Sequence, residues 1–287
     1  MSSNLFSGLE KVGLFGMSNV DIFDTEEKKN NSNDDKKDDV KVHEISEEEL
    51  LYDKSYKCPV CDWEFKTKAV RTGKARMISV DSDLRPKYQG IDTIKYDAIV
   101  CNKCGYAALS RYFNYMTLPQ AKLIINNISS NFKGLNDKLS KYSYEDALIR
   151  HRLALVNAVV KKSRISERAY ICLKIAWLLR GQAENLPKDT ENYDEVIKNI
   201  QAEEQDSIEK AYEGFKSAMS KEVFPICGMD ESTYLYVTAD LARRCKDYTV
   251  AYKLVGEVIT SRAAGAKIKD RARELKELLK KEREELV

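Results

Sequence analysis

Cys58-Pro-Val-Cys61 and Cys101-Asn-Lys-Cys104 set two pairs of thiols 39 residues apart. With two residues between paired cysteines, one tight turn presents both sulfurs to the same point, and four such sulfurs hold a tetrahedral soft metal ion. The residues around the pairs agree. Pro59 follows the first cysteine and Gly105 follows the last, and glycine there permits a positive φ that lets backbone N–H groups approach the sulfurs. Zn2+ is the expected ion, because it suits four sulfurs and has no redox chemistry of its own, with iron next. Four protein ligands leave no open coordination position, so a structural role is expected and hydrolysis at the metal is not.

Around the knuckles the pattern reads as short strands between turn signals: EFKTKAV, ARMISV and IKYDAIV. A module over 51–116 buries too little to be comfortably stable alone. A structural zinc site can add on the order of 10–16 kcal/mol, which makes the metal a condition of folding. Within it, residues 65–80 hold Lys66, Lys68, Arg71, Lys74 and Arg76 with no acid, and Trp63, Phe65, Tyr88 and Tyr96 lie close in sequence. Lys66 and Lys68 share a strand face, because strand side chains alternate with period two. Cations beside aromatic platforms are what single-stranded nucleic acid requires, by phosphate neutralisation and base stacking. The competing reading is a solvated lysine face that protects a sheet edge over an aromatic core. Asp81-Ser-Asp83, Arg85 and Lys87 read as a loop whose charges pair internally.

From Thr117 the pattern is helical. Thr117-Leu-Pro-Gln120 is a capping box with proline in the first turn. Apolar stripes follow at Leu148, His151, Leu155 and Ala158, at Ile165, Ala169, Cys172, Ala176 and Leu179, and along a long helix near 193–220. Tyr234–Cys245 and Thr249–Ser261 flank a break at Asp247-Tyr248 and form a helical hairpin. Aligned on Ala251, the small positions of a tetratricopeptide repeat fall on Ala239 and Ala251, whereas its large positions fall on Leu235, Ala242 and Val255. The region is therefore expected to be TPR-like without a strict period. Ile268, Ala272, Leu275, Leu279 and Leu286 mark a terminal capping helix.

Ahead of the module, residues 25–50 form an acidic linker expected to be disordered, preceded by a short apolar segment at 1–24 with Leu5, Phe6, Leu9 and Val12. That segment can dock on the body, a partner or, more weakly, a membrane. Residues 21–53 carry 13 acids against 5 lysines, −8, so with Glu10 balancing Lys11, residues 54–287 carry +10. A basic body attracts anionic partners, and the acidic leader is able to compete for the same surface.

No window approaches a membrane span, and the start lacks the pattern of a secretory signal. Cys172, Cys227 and Cys245 remain outside the knuckles, an odd number that suits buried thiols in a reducing compartment, so the expected location is the cytoplasm. There is no glycine-rich phosphate loop, no HExxH and no nucleophile beside a base, so the chain is not expected to be an enzyme. His151, on an apolar helical face, reads as a packed, hydrogen-bonded core residue.

The stretch KCPVCDWEFKTKAVRTGKARMISVDSDLRPKYQGIDTIKYDAIVCNKCGYAA, followed by TPR-like helices, resembles a family of bacterial proteins known as domain of unknown function 2225. The resemblance implies a multidomain, mainly α chain. A small β-rich zinc-ribbon (rubredoxin-like) domain at 51–116 would precede an α-helical, TPR-like hairpin array at 117–287. It passes a metal-ligand role to Cys58, Cys61, Cys101 and Cys104 and supplies no activity. The expected function is a non-catalytic adaptor that binds an unidentified protein or peptide through the helices. The alternatives are single-stranded nucleic-acid binding by the inter-knuckle strands and a rubredoxin-like iron redox role. The knuckles alone also resemble rubredoxin, from which the long basic stretch between them departs.

Overall fold

The computed structural model describes residues 46–136 and 138–284, which belong to one compact unit. The apolar segment 1–24, the linker up to residue 45 and Leu286 lie outside the described residues.

Three antiparallel strand pairs come first. β1 (Leu51–Lys57) pairs with β2 (Glu64–Val70), β3 (Met77–Val80) with β4 (Pro86–Tyr88), and β5 (Ala98–Val100) with β6 (Ala107–Leu109). In the first pair Lys57 faces Glu64 and Leu51 faces Val70, so the first knuckle sits at the tip of that hairpin; Val100 facing Ala107 puts the second knuckle at the tip of another. The strand expected at IKYDAIV is only its last three residues. Asp92 accepts a bond from the Ile94 N–H (3.0 Å) and caps a 3-10 turn at Thr93–Tyr96 in place of the first part. The linker expected to reach residue 50 ends sooner, because Glu47–Leu50 forms a 3-10 turn that buries Leu50, and Glu47 bonds Lys95 (2.6 Å) and the Tyr96 hydroxyl (2.8 Å).

Seven α-helices follow among the described residues: α1 (Leu118–Ile124), α2 (Tyr144–Val160), α3 (Ile165–Glu184), α4 (Tyr193–Met219), α5 (Glu231–Arg244), α6 (Tyr248–Thr260) and α7 (Ala266–Glu284). Four of their starts are written in capping chemistry. Thr117 with Gln120 and Ser143 with Asp146 form capping boxes, while Asp230 and Asp247 accept from the N–H of Thr233 (2.7 Å) and Val250 (3.2 Å). The Asp230 cap starts α5 three residues before its apolar stripe, which is why periodicity alone set that helix at Tyr234. α1 runs on through a π turn at Ile125–Ser129.

The switch from strands to helices at 116/117 is a change of secondary structure and not a gap in the packing. Ala98, Val100, Ala107 and Leu109 of the second hairpin belong to the same buried cluster as Ala147 and Ala154 of α2 and Ile171 and Leu178 of α3. α3 was expected to bury one stripe. Instead its second half, Ile175–Leu179, is buried without interruption, because α3 has α2 on one side, α4 on another and the loop around Asp83 and Asp97 against it. Gly214 makes the α3–α4 approach possible, since a Cβ there would lie 2.5 Å from the Ala169 Cβ. α5 and α6 form the expected hairpin, with Ala239, Ala251 and Val255 fully buried between them and α7 closing the end. No helix among the described residues is long and apolar enough to cross a membrane.

A four-cysteine centre and its surroundings

The two knuckles repeat one backbone pattern. The Cys58 N–H bonds the Trp63 carbonyl (2.9 Å) and the Asp62 N–H returns to the Cys58 carbonyl (3.0 Å); in the second knuckle Cys101 with Tyr106 (2.8 Å) and Gly105 with Cys101 (2.9 Å) do the same. The turn requires a positive φ at its fifth residue, 55° at Asp62 and 75° at Gly105. Gly105 is further constrained because a Cβ would fall 2.6 Å from Phe132 Cγ, so alanine does not fit there.

The four sulfurs converge. Cys58 and Cys104 Sγ lie 3.6 Å apart, Cys61 and Cys101 Sγ 3.7 Å apart, and all four within 4.8 Å of one another. Zn–S bonds of about 2.3 Å in a tetrahedron set sulfurs about 3.8 Å apart, so the cage has the size of a tetrathiolate metal site. Cys58, Cys101 and Cys104 are buried and Cys61 half-buried, and the Val60 N–H points at Cys58 Sγ (3.4 Å). As bare thiols the sulfurs compete for protons. The bond with Cys101 pushes Cys58 up, the same neighbour pushes Cys104 up, and the bond from Cys104 pulls Cys101 down. A cation among them removes that conflict by letting every sulfur ionise.

The second knuckle is bolted to the helices. Asn157 of α2 donates to the Gly105 carbonyl (3.0 Å), Ser129 to the Cys104 carbonyl (2.7 Å), and Asn102 to the Leu135 carbonyl (2.8 Å). At the base of the hairpin Asp97 accepts from Ser110 (2.6 Å) and pairs with Lys174 of α3 (3.3 Å). Burial works against ionised Asp97, but Lys174 outweighs it and holds the carboxyl low. The first knuckle leans on the second through the sulfurs and through Tyr56, Phe65 and Phe113, whose ring centroids lie 5.5–6.1 Å apart.

The basic run between the knuckles is divided. Lys66 and Lys68 line one cavity beside the centre, with Lys68 bonded to Asp53 (2.8 Å). Arg71, Lys74 and Arg76 are exposed past the opposite end of β2, where Arg71 bonds the Leu51 carbonyl (3.0 Å) and lies over the Tyr52 ring. Of the aromatics, Phe65 and Tyr96 pack into clusters and Trp63 stays 50 % exposed. Lys103 and Arg150 join the cavity wall. Sequence position could not single them out, since one sits inside a knuckle and the other on a distant helix.

The charged stretch at 81–87 is a loop only as far as Arg85, since Lys87 lies on β4, and its charges pair with partners far along the chain. Asp83 is fully buried against Arg180 (2.8 Å) and Arg244 (3.7 Å), and Arg85 meets Glu184 (2.8 Å) and Asp81 (3.6 Å). Arg180 also bonds Glu204 (2.8 Å), and Arg244 bonds Asp240 (2.7 Å), whose neighbour Tyr236 donates to the Ser82 carbonyl (2.7 Å). This network ties the loop to α3, α4 and α5. Cys172 and Cys245 are pushed up by burial to about 11, and burial likewise raises Cys227.

His151 is fully buried, and its Nδ1–H donates to the Ala147 carbonyl (2.8 Å). Burial lowers its pKa to about 4, with Asp97 favouring the proton and Lys174 and Arg150 opposing it. The unfolded chain therefore takes up this proton near pH 6.5, before the folded one does near pH 4. The His151 contribution to stability is intact above about pH 6.5 and declines as pH falls toward 4, by roughly 3 kcal/mol in all. Urea unfolding across that range should show the decline in the native chain and a shallower one in His151→Leu.

No curated protein and no solved structure matches the chain. The family described as "Uncharacterized protein conserved in bacteria (DUF2225)" matches residues 51–279, a span that runs from β1 to the last buried leucine of α7 and takes in all four cysteines. The chain thus belongs to this bacterial family.

Proposed function

We propose that the chain is a non-catalytic adaptor in which a structural zinc ion holds a zinc-ribbon-like pair of hairpins against TPR-like helices, and that the helices bind an apolar peptide or helix. The observation that carries this reading is a groove of about 430 Å³ between α2 and α4, floored by Leu148, Ile149, Val196 and Ile200. Arg152 and Glu203 (2.7 Å) bridge the two helices at its edge. Ile149, Val156 and Val159 leave apolar surface exposed along the outer face of α2. An apolar floor with a polar rim on packed helices suits helix-in-groove recognition.

Zinc is preferred to iron because a closed sulfur cage in a structural role gains nothing from a redox-active ion. Purification under low oxygen separates the two: a colourless chain with one zinc supports the structural site, and a coloured, iron-loaded chain favours a rubredoxin-like role. A reducing compartment such as the cytoplasm suits Cys172, Cys227 and Cys245, the unpaired thiols outside the knuckles.

The test is a crosslinked pull-down from nuclease-treated cells of the native host. The reading expects a defined set of proteins to be captured by the native chain, lost with Ile149→Glu and kept with Lys253→Glu on α6. Capture of none, or capture unaffected by Ile149→Glu, overturns it.

A further inference from the structure

Beside the metal centre lies a second cavity of about 430 Å³, whose walls include Trp63, Lys66, Lys68, Lys103, Tyr142 and Arg150. Its walls come from the β1–β2 hairpin with Trp63, from the second knuckle, from the turn before α2 at Tyr142 and from α2 itself. Lys66 and Lys68 share a face of β2, opposite Ser55 and Asp53 of β1. Lys103 places its Nζ 4.8 Å from the Trp63 ring centroid. Arg150, 5 % exposed, is fixed by the Asn136 carbonyl (3.2 Å) and by the Tyr142 ring, 4.1 Å from its guanidinium carbon. Against these four cations the cavity wall offers one carboxylate, Asp53, which is bonded to Lys68 (2.8 Å). Lys66 has no ion-pair partner among the described residues.

Lysines alone would be explained as protection of a strand edge. Trp63 adds a second property, because its indole, 50 % exposed and with Lys103 against it, presents a flat apolar surface beside Lys66, a cation that no carboxylate among the described residues neutralises. Excess positive charge calls for an anion, and the exposed ring calls for a flat partner that can share the site with it. Phosphate joined to a base has both properties. The volume is at the low end of the ~300–1,000 Å³ typical of ligand cavities, enough for a nucleotide unit and too small for a duplex, whose base faces are in any case covered.

We propose that this cavity binds single-stranded nucleic acid, with one base on Trp63 and the adjoining phosphates on Lys66, Lys68 and Lys103. Arg150 backs the cavity with a fixed positive charge, and the +10 carried by residues 54–287 draws the strand in. The metal centre does not touch the ligand; it holds β2 and the second knuckle together so that Trp63 and Lys103 face one another. This surface is separate from the α2–α4 groove, and neither reading requires the other.

The chain reports on the site itself. Its tryptophans are Trp63, half exposed, and Trp177, 4 % exposed, so a ligand on Trp63 quenches one emitter over a steady background. Metal-loaded full-length chain is titrated with oligo-dT and oligo-rU at two salt concentrations. Tryptophan emission and the anisotropy of a labelled oligonucleotide are followed together. The expected result is quenching that saturates with the anisotropy. Trp63→Ala should weaken binding by about tenfold or more, and Lys66→Ala with Lys103→Ala should lower the salt slope by about 0.7 per lysine. Both variants should keep one metal per chain, which certifies the fold. Uridine monophosphate and inorganic polyphosphate complete the set. Weaker quenching by the mononucleotide supports the strand. Polyphosphate binding as tight as the oligonucleotide, with Trp63→Ala without effect, reduces the cavity to an anion site and overturns the proposal. So does absence of binding at about 100 µM in low salt, the weak limit of non-specific association.

Discussion

Replacing Cys101 with serine, or stripping the metal with a chelator, is expected to open the two knuckle hairpins while α3 to α7 remain folded. Losing the ion leaves the first hairpin held to the second by the Tyr56, Phe65 and Phe113 rings, while the second knuckle stays bonded to Asn157 and Ser129. The sulfurs also form part of a cluster with Ile99, Tyr106, Phe113, Ile124 and Ile128, so exposure should spread into α1. The second hairpin keeps its apolar seat on α2 and should lose less protection than β1 and β2. The loss is expected to be several kcal/mol, below the 10–16 kcal/mol of isolated zinc-finger peptides, because part of the module's core survives. Hydrogen exchange read by mass spectrometry gives the map directly. Near-native protection of residues 51–70 in the metal-free chain would refute a folding role for the ion.

The second large effect is expected at the buried ion network. Arg180→Met leaves Asp83, fully buried, with Arg244 at 3.7 Å as its remaining cationic partner. An uncompensated buried charge costs about 3–5 kcal/mol. Adding Asp83→Asn to Arg180→Met removes the stranded charge and should recover part of that loss, so the two substitutions are expected to be strongly non-additive. Additivity in a urea-denaturation cycle would show that the pair does not act as one unit.

Acid titration offers an independent readout. Burial alone would raise the Asp83 carboxyl, but the charges of Arg180 and Arg244 outweigh it and hold it below the usual carboxylate range. Its stabilising contribution is therefore present above the ordinary Asp value of about 3.9 and is lost as pH falls through the lower folded value. Arg180→Met should remove much of that acid-range loss, which lies below the pH 4–6.5 window of His151.

The four-cysteine cluster was legible in the chain because a two-residue spacer, and a residue after the second cysteine that accepts a positive φ, are local requirements of a knuckle. The start of α1 was legible for the same reason, since Thr117 states its capping role within three residues, and the stripes on α2 and α7 repeat within a few turns. Asp247, which read as a break, caps α6 instead. Local signals also misled. The run in IKYDAIV favoured a strand throughout, until the Asp92 cap bent its first part into a turn. The basic run at 66–76 looked like one surface and is two, because β2 carries Lys66 and Lys68 near the knuckle and delivers Arg71, Lys74 and Arg76 beyond its other end.

By itself, then, the sequence determined the pairing of four cysteines into two knuckles, the passage from strands to helices and the apolar face of most helices, all of which depend on residues within a turn or two of one another, and it left β1, β4 and β6 unread. Only the tertiary structure decided which charges are buried together, that Lys103 and Arg150 share a cavity with Lys66, and that the second knuckle hairpin shares a buried core with α2 and α3. Those outcomes depend on hairpin placement and helix packing across wide chain separations, and no short window of sequence records which distant side chain will fill the space opposite Asp83 or Trp63.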